Sequence, residues 1–214
     1  MTMFDRPIEI LRPPAVRFGA GQLDTLAPWV AQRGGKAFVI ADAFNAGRVD
    51  MLGLGEPAVF GGVQPEPAIT DLEAALAAAE GCGPEVIIGF GGGSAMDIAK
   101  LVAVMLGSGR AFADISGPDR APPRKVGLVQ IPTTAGTGSE AGTRALVTDP
   151  ATMNKVATES RGMLADLVII DPALTLTVPP AVTAATGIDA LAHCVEAFTS
   201  RRAHPLIDAY ALQG

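Results

Sequence analysis

Two histidines and two cysteines are all that 214 residues offer as nitrogen and sulfur metal ligands. Cys82 and Cys194 are too few for a disulfide framework and share no metal-ligand spacing, so free thiols in a reducing compartment are expected. Basic residues are also short. Lys and Arg number 16 against 22 Asp and Glu, a net charge of -6, and nucleic-acid partners, which need a basic surface, are excluded. No apolar run approaches the ~20 residues that cross a bilayer, which removes a membrane role. The opening MTMFDRPIEI lacks the basic start and apolar core of a signal peptide, so the expected location is cytoplasmic. Internal repeats and low-complexity tracts are absent too. What the chain does have is 49% hydrophobic residues, enough for a substantial core in one large domain or one domain plus part of another.

Short apolar runs alternate with Ala-rich helical ones. KAFVIAD (36–42), AVF (58–60), EVIIGF (85–90) and VGLVQIP (126–132) read as strands, the longer ones without polar alternation, as in a sheet covered on both faces. Helices are predicted over 70–81, opened by a Thr70/Glu73 capping box, and from Ser94 to Met105. This alternation implies βαβ units and a parallel sheet, an α/β fold with a Rossmann-like nucleotide domain. From about 143 the segments RALVTD, KVATES and ADLVIID follow without helices between them, which predicts an antiparallel addition or a sheet edge. RAPPRK (120–125) reads as a surface loop. Pro179-Pro180 marks a break, after which a proline-started, Ala-rich helical pattern runs on. The expected division is therefore 1–178 for the α/β part and 179–214 for the beginning of an all-helical domain, too short to bury a core of its own.

FGGGSAMDIAK (90–100) places Gly91, Gly92 and Gly93 between a buried strand and a helix start. Glycines let backbone N–H groups crowd an anion, and the helix N-terminus adds partial positive charge, so a pyrophosphate is the natural guest. A bare strand-to-helix turn needs fewer glycines. Ser94 is the expected N-cap, with Asp97 completing a box-like cap. Asp42 ends the first strand, where a carboxylate accepts hydrogen bonds from an adenosine ribose and repels a 2′-phosphate; equally, it caps the segment that follows. In a Rossmann fingerprint the acid lies ~20 residues after the glycines. Here it precedes them, which rules out the standard arrangement. IPTTAGTGSE (131–140) adds four hydroxyls, Thr133, Thr134, Thr137 and Ser139, again directly after a strand. Two such loops point to one crevice at the C-terminal edge of the sheet.

Asp189 and His193, four residues apart in AATGIDALAHCVEAF, lie on one helix face about one turn apart. A carboxylate and an imidazole so placed suit one divalent metal. They are two ligands, and no residue in the 21 that follow looks like a good third.

GGGSAMDIAK, IPTTAGTGSE and ATGIDALAHCVEAF together resemble the iron-containing, or group III, alcohol dehydrogenase family, in the family's order. RFGAG (17–21), QPEP (64–67) and VPPAVTAATG are similar as well. The resemblance implies an N-terminal α/β domain that binds NAD or NADP, with NAD favoured by Asp42. It implies a helical C-terminal domain holding Fe(II) or another divalent metal such as Zn(II). Asp42 then sits beside the adenosine ribose, Gly92, Gly93 and Ser94 contact the pyrophosphate, and Thr133, Thr134 and Thr137 touch the cofactor further along. Lys155, by itself an exposed strand lysine, matches a lysine that reaches the nicotinamide ribose. Asp189 and His193 match the first two metal ligands.

The family's other two ligands are histidines well downstream, in a region this sequence does not contain, and His204 occupies a position that is not a ligand. The implied chain is the cofactor half plus the first helix or so of the catalytic half, with little activity alone. Its apolar helix face should drive self-association or dimerisation. The implied activity is hydride transfer between nicotinamide and an alcohol or aldehyde. A glycerol dehydrogenase or dehydroquinate synthase-like enzyme of the same superfold is disfavoured by the TTAGTGSE loop. A nucleotide-binding module without catalysis is the reading from another class. No side chain stands out as a catalytic base.

Overall fold

The computed structural model describes residues 7–214. In chain order, strand β1 (Val16–Phe18) and helix α1 (Leu26–Ala31) lead to β2 (Ala37–Ala41), α2 (Ala43–Ala46) and β3 (Ala58–Phe60). Helix α3 (Ile69–Cys82), β4 (Val86–Gly91), α4 (Gly93–Met105), α5 (Phe112–Ile115), β5 (Gly117–Pro118) and β6 (Gly127–Pro132) follow. The hairpin β7 (Arg144–Asp149) and β8 (Asn154–Glu159) precedes β9 (Leu167–Ile170), and α6 (Pro180–Thr199) and α7 (Pro205–Gln213) complete the series.

Six strands form one parallel sheet in the order β1-β9-β6-β4-β2-β3. Every residue of β2 and β4 is buried, because alternate side chains feed two separate cores. Phe38, Ile40, Ile87 and Leu128 meet Leu72 of α3 and Ile98 and Leu101 of α4. Val39, Ile88, Val129 and Ile169 meet Leu26, Trp29 and Val30 on the other face. A strand covered on both sides has no polar face, which is why these segments are unbroken apolar runs.

The topology fixes where a ligand can sit. The chain lays β3 on one side of β2, then crosses back to lay β4 on the other. The C-terminal ends of β2 and β4 therefore flank the point where strand order reverses, the place where open α/β sheets bind ligands. Register puts Ala41 beside Phe90 and Gly91 beside Pro132. The residues that follow, Asp42, Gly92 and Thr133, thus emerge in one row. An acid placed before the glycines in sequence is their neighbour in space.

Several local expectations need correction. The helix expected at 70–81 begins at Ile69, and its cap uses Asp71, whose carboxylate accepts the Ala68 N–H at 2.8 Å, instead of Thr70 and Glu73. A bridge between Ala68 and Thr148 holds Ala68 extended, so tertiary pairing sets the start. Likewise α4 is capped by the extended Gly92, and Ser94 already lies inside it. Of the three segments after 143, RALVTD and KVATES do pair antiparallel and, with the short β5, form a separate three-stranded sheet. ADLVIID does not join them: β9 inserts between β1 and β6, where Leu167, Val168 and Ile169 are buried on both faces. Strand β1, only three residues with an exposed-intermediate-exposed pattern, escapes sequence reading.

The loop at 120–125 is less superficial than its composition suggests. Arg124 grips both carboxylate oxygens of Asp166, at 2.6 and 2.9 Å, and also donates to the carbonyls of Gly162, Leu164 and Val126. Asp166 in turn accepts the Leu128 N–H at 2.8 Å, tying the entries of β6 and β9 together.

After Pro172 the described residues contain no strand. Proline occupies the first turn of α6, as its missing N–H allows. No residue of α6 or α7 is buried, and Ile188, Leu191, Val195 and Phe198 stay exposed. Among the described residues, no helix is long and apolar enough to cross a membrane.

Candidate functional site

Two hollows meet over the N-terminus of α4. One, of about 540 Å³, is walled by Asp42, Asn45, Arg48, Thr133, Thr134 and Val178. The other, of about 660 Å³, reaches Thr137, Ser139, Lys155, Asp189 and His193. Gly93 and Ser94 border both, so the hollows form one trench across the switch point. Of the sequence-predicted residues, Gly92, Gly93, the hydroxyls, the lysine and the metal-type pair line it, and Gly91 does not. A larger open saddle at the opposite edge of the sheet holds the Arg124–Asp166 pair, whose polar atoms are committed to each other and to backbone.

At the middle of the trench, no side chain caps α4. Its first N–H groups have no intrahelical acceptor and carry the positive end of the helix dipole. Two glycines keep this end bare. Gly91 has φ +150°, and a Cβ there would stand 3.0 Å from the Ala95 Cβ and 3.1 Å from an Asp42 carboxylate oxygen. At Gly93 a Cβ would lie 3.0 Å from the Thr137 hydroxyl and methyl. The Thr134 hydroxyl is buried without a partner among the described residues. Bare N–H groups facing spare hydroxyls in a space that a single Cβ would fill fit a pyrophosphate.

Asp42 caps the segment that follows it. Its Oδ1 accepts the Asn45 N–H at 3.0 Å, capping α2, and its Oδ2 accepts the Asn45 amide Nδ2 at 2.6 Å. The carboxylate still borders the first hollow. Asn45 also donates to Thr133 Oγ1 at 3.4 Å, joining the ends of β2 and β6. Arg48 lies over the Phe44 ring at 5.1 Å and donates to Thr177 Oγ1 at 3.2 Å. These neighbours were not singled out from sequence. The Asp-x-x-Asn spacing, typical of a helix cap, was the available signal.

Asp97 is turned away from the cap it was expected to form. Its Oδ2 accepts the Leu146 N–H at 2.9 Å, and its Oδ1 accepts from Ser139 Oγ at 2.5 Å and from Lys100 Nζ at 3.3 Å. Lys100, fully buried, also donates to Ser139 Oγ at 2.7 Å and the Arg144 carbonyl at 2.8 Å. This group pins the end of the threonine loop and the start of β7 to α4. Sequence reading missed Lys100, although a lysine three residues after an Asp in an apolar helix is a visible oddity.

Burial pushes the Lys100 amine below its ordinary value, against the opposing pull of Asp97 and Glu140. In the window between the lowered value and 10.5 the unfolded chain binds the extra proton, so the burial cost fades as pH rises. Wild type should therefore gain stability relative to Lys100→Met as pH rises through the alkaline range below 10.5. Urea midpoints across that range test this, and parallel profiles would refute it. At neutral pH the variant should lose about 2 kcal/mol, since Asp97 keeps two of its donors.

Lys155 stands on β8 at the trench border, its Nζ 2.9 Å from Glu66 Oε1, both side chains exposed. The hydrogen bond and charge of Lys155 hold the Glu66 carboxyl below the usual carboxylate range. Asp189 Oδ1 and His193 Nε2 lie 3.6 Å apart, half-exposed, on the face of α6 turned to the trench. Helix α6 is seated directly on the threonine loop, where a Cβ on Gly136 would come within 2.7 Å of the Thr186 carbonyl. A carboxylate oxygen and an imidazole nitrogen so close fit two positions around a divalent cation. Among the described residues no group of three or more His, Cys, Asp or Glu could hold a metal ion. His204 serves elsewhere, buried, its Nδ1 accepting the Leu206 N–H at the start of α7.

Comparison with known proteins agrees with this geometry. Residues 13–172 match the model of the iron-containing alcohol dehydrogenases, and residues 183–214 match the C-terminal model of the same family. The long-chain-alcohol dehydrogenase 1 of Geobacillus thermodenitrificans is 41% identical, over 95% of this chain and 54% of that protein. The crystal structure of a 1,3-propanediol oxidoreductase superposes with a TM-score of 0.89 at 33% identity, covering 97% of this chain and 57% of that one. A sulfoacetaldehyde reductase from Bifidobacterium kashiwanohense, solved in complex with NAD+, gives 0.87 at 28% identity, over 96% and 57%. The chain spans about half the length of the curated relatives it matches.

Proposed function

This chain belongs to the iron-containing alcohol dehydrogenase family, and from that premise we propose that it is the coenzyme-holding part of an NAD-dependent dehydrogenase acting on a small alcohol or its aldehyde. The observation that carries the reading is the trench: an uncapped helix N-terminus, facing hydroxyls, runs from the Asp42 carboxylate to the Asp189–His193 pair.

Each side chain then has a task. Asp42 accepts the adenosine ribose hydroxyls and opposes a 2′-phosphate, which favours NAD over NADP. Gly91, Gly92, Gly93 and Ser94 expose backbone N–H groups to the pyrophosphate. Thr133, Thr134 and Thr137 supply hydroxyls along the coenzyme, and Lys155 serves its nicotinamide ribose. Asp97 works indirectly, by holding the threonine loop. Asp189 and His193 would hold an Fe(II) or Zn(II) ion jointly with ligands from outside these residues. Bound there, the metal supplies Lewis acidity towards the substrate oxygen. The coenzyme carries the hydride, and the protein supplies position and electrostatics.

Residues 1–178 make up the coenzyme part and 179–214 open the helical, metal-binding part. The acidic, cysteine-poor chain suits the cytoplasm, and the exposed apolar residues of α6 favour self-association.

Fluorescence titration of the purified chain with NADH and NADPH, with and without Fe(II) or Zn(II), tests the proposal. NADH should bind at least about tenfold more tightly than NADPH, with little metal dependence. Absence of NADH binding, or a preference for NADPH, would overturn it.

A further inference from the structure

Asn45 is buried at the mouth of the adenosine-side hollow and carries an uncompensated cost. Its Nδ2 is committed to Asp42 Oδ2 and Thr133 Oγ1, while its Oδ1 has no partner among the described residues. Turning the amide over would not relieve this. It would set a carbonyl oxygen against a carboxylate oxygen at 2.6 Å. An apolar side chain of similar shape would remove the orphaned Oδ1 but would strip Asp42 Oδ2 and Thr133 Oγ1 of a donor. What the amide does, and a leucine cannot, is hold the carboxylate.

That hold is geometrically complete. The Asn45 backbone N–H takes one Asp42 oxygen and the side-chain amide takes the other. Behind them lies the bare backbone of Gly91, where a Cβ would stand 3.1 Å from Asp42 Oδ2 and 3.5 Å from Asn45 Nδ2. Two hydrogen bonds thus fix both carboxylate oxygens, and the missing Cβ of Gly91 leaves the room for that arrangement, with the remaining lone pairs free for other donors. On the same wall stands a cation, Arg48, the natural magnet for either a mobile carboxylate or a 2′-phosphate.

We propose that Asn45 is a positioning and specificity residue: it locks Asp42 in the orientation that receives the ribose diol, and so sets the preference for NAD over NADP. This rests on the reading that Asp42 lies beside the adenosine ribose. A carboxylate that cannot swing aside rejects a 2′-phosphate fully. A released one moves off, gives up the diol, and leaves Arg48 to accept the phosphate.

The test is titration of NADH and NADPH against the 214-residue chain and its Asn45→Leu variant, with thermal melting alongside. The leucine variant, which loses one orphaned oxygen and two hydrogen bonds, should melt within a few degrees of wild type, bind NADH about tenfold more weakly, and bind NADPH as well as or better than wild type. The NADH-to-NADPH preference then falls by at least about tenfold. Asn45→Ser, which restores a short donor, should recover part of that preference, and it provides the same reading if the leucine variant does not fold. An unchanged ratio, or a parallel loss of both coenzymes, refutes the inference and leaves Asn45 a structural cap. A wild-type chain that binds neither coenzyme overturns the underlying assignment, which is visible before any variant is made.

Discussion

Gly93→Val should weaken NADH binding by at least about 100-fold, close to 3 kcal/mol, with little change in melting temperature. The position is the first residue of α4 and has ordinary helical geometry, so a β-branched residue there costs the backbone little. The obstruction is local. Its Cβ would already stand 3.0 Å from the Thr137 Oγ1 and Cγ2, and the added methyls would fill the gap between the helix end and the hydroxyl loop. Thr137 is on a half-exposed loop and can yield, which spares the fold, but only by leaving the position from which, in the proposed function, it meets a coenzyme. Gly93→Ala should show a smaller loss in the same direction. If the valine variant bound NADH with wild-type affinity, the pyrophosphate would have to lie elsewhere.

The second large effect is on stability. Arg124→Met should cost about 2–4 kcal/mol, or roughly 5–15 °C in melting temperature for a chain of this size. Methionine keeps the bulk of the side chain but removes every donor to Asp166, Gly162, Leu164 and Val126. The Asp166 carboxylate is left beside the Leu128 N–H without its cation. Its side chain remains about one-third exposed, which keeps the cost towards the lower end of what a broken buried pair exacts. The acid side adds a signature. Burial by itself would raise the Asp166 carboxyl, but the Arg124 hydrogen bond, the Leu128 N–H and the charges of Arg124 and Arg33 outweigh it and hold the group below 3.8. A lowered carboxyl contributes stability that is complete above its unfolded value and lost as pH falls through the folded one. Wild type should therefore shed this contribution as pH falls below ~3.8, whereas Arg124→Met, which lacks it, should show no such loss, so that the gap between the two closes in acid. Urea midpoints between pH ~2.5 and ~7 read both, and matching curves would show the pair to be inert.

How much of this was legible beforehand depended on what each residue needs from distant ones. Strands β2, β4 and β6 could be read because burial on both faces demands an unbroken apolar run. The glycine and threonine loops could be read because their composition is extravagant for a turn. Asp189 and His193 announced themselves by helical spacing. Strand β9 was misplaced because nothing in ADLVIID names its neighbours; only the gap between β1 and β6 does. Asp97 was assigned to a cap because its spacing from Ser94 suits one, yet the Leu146 N–H, 49 residues away, claims it. Lys100 and Asn45 went unread for the same reason. A buried polar side chain is explained by its partners, and theirs come from Ser139, Arg144 and Thr133, which only folding brings near.

The pairing of β1 with β9 has a consequence for synthesis on the ribosome. Among the described residues β1 pairs with no other strand, and the Leu23 N–H ends on Asp171 Oδ2, 148 residues later. At translation speeds of about 5–20 residues per second, the first strand emerges on the order of ten seconds before the one that receives it. During that interval β6 also presents an open edge, since β9 is its outer neighbour as well. A message stalled just short of residue 166 would release a chain with β1 unpaired, one edge of β6 open and the Leu167, Ile169 and Leu174 side chains missing from one core, the kind of nascent product that chaperones and proteases sort.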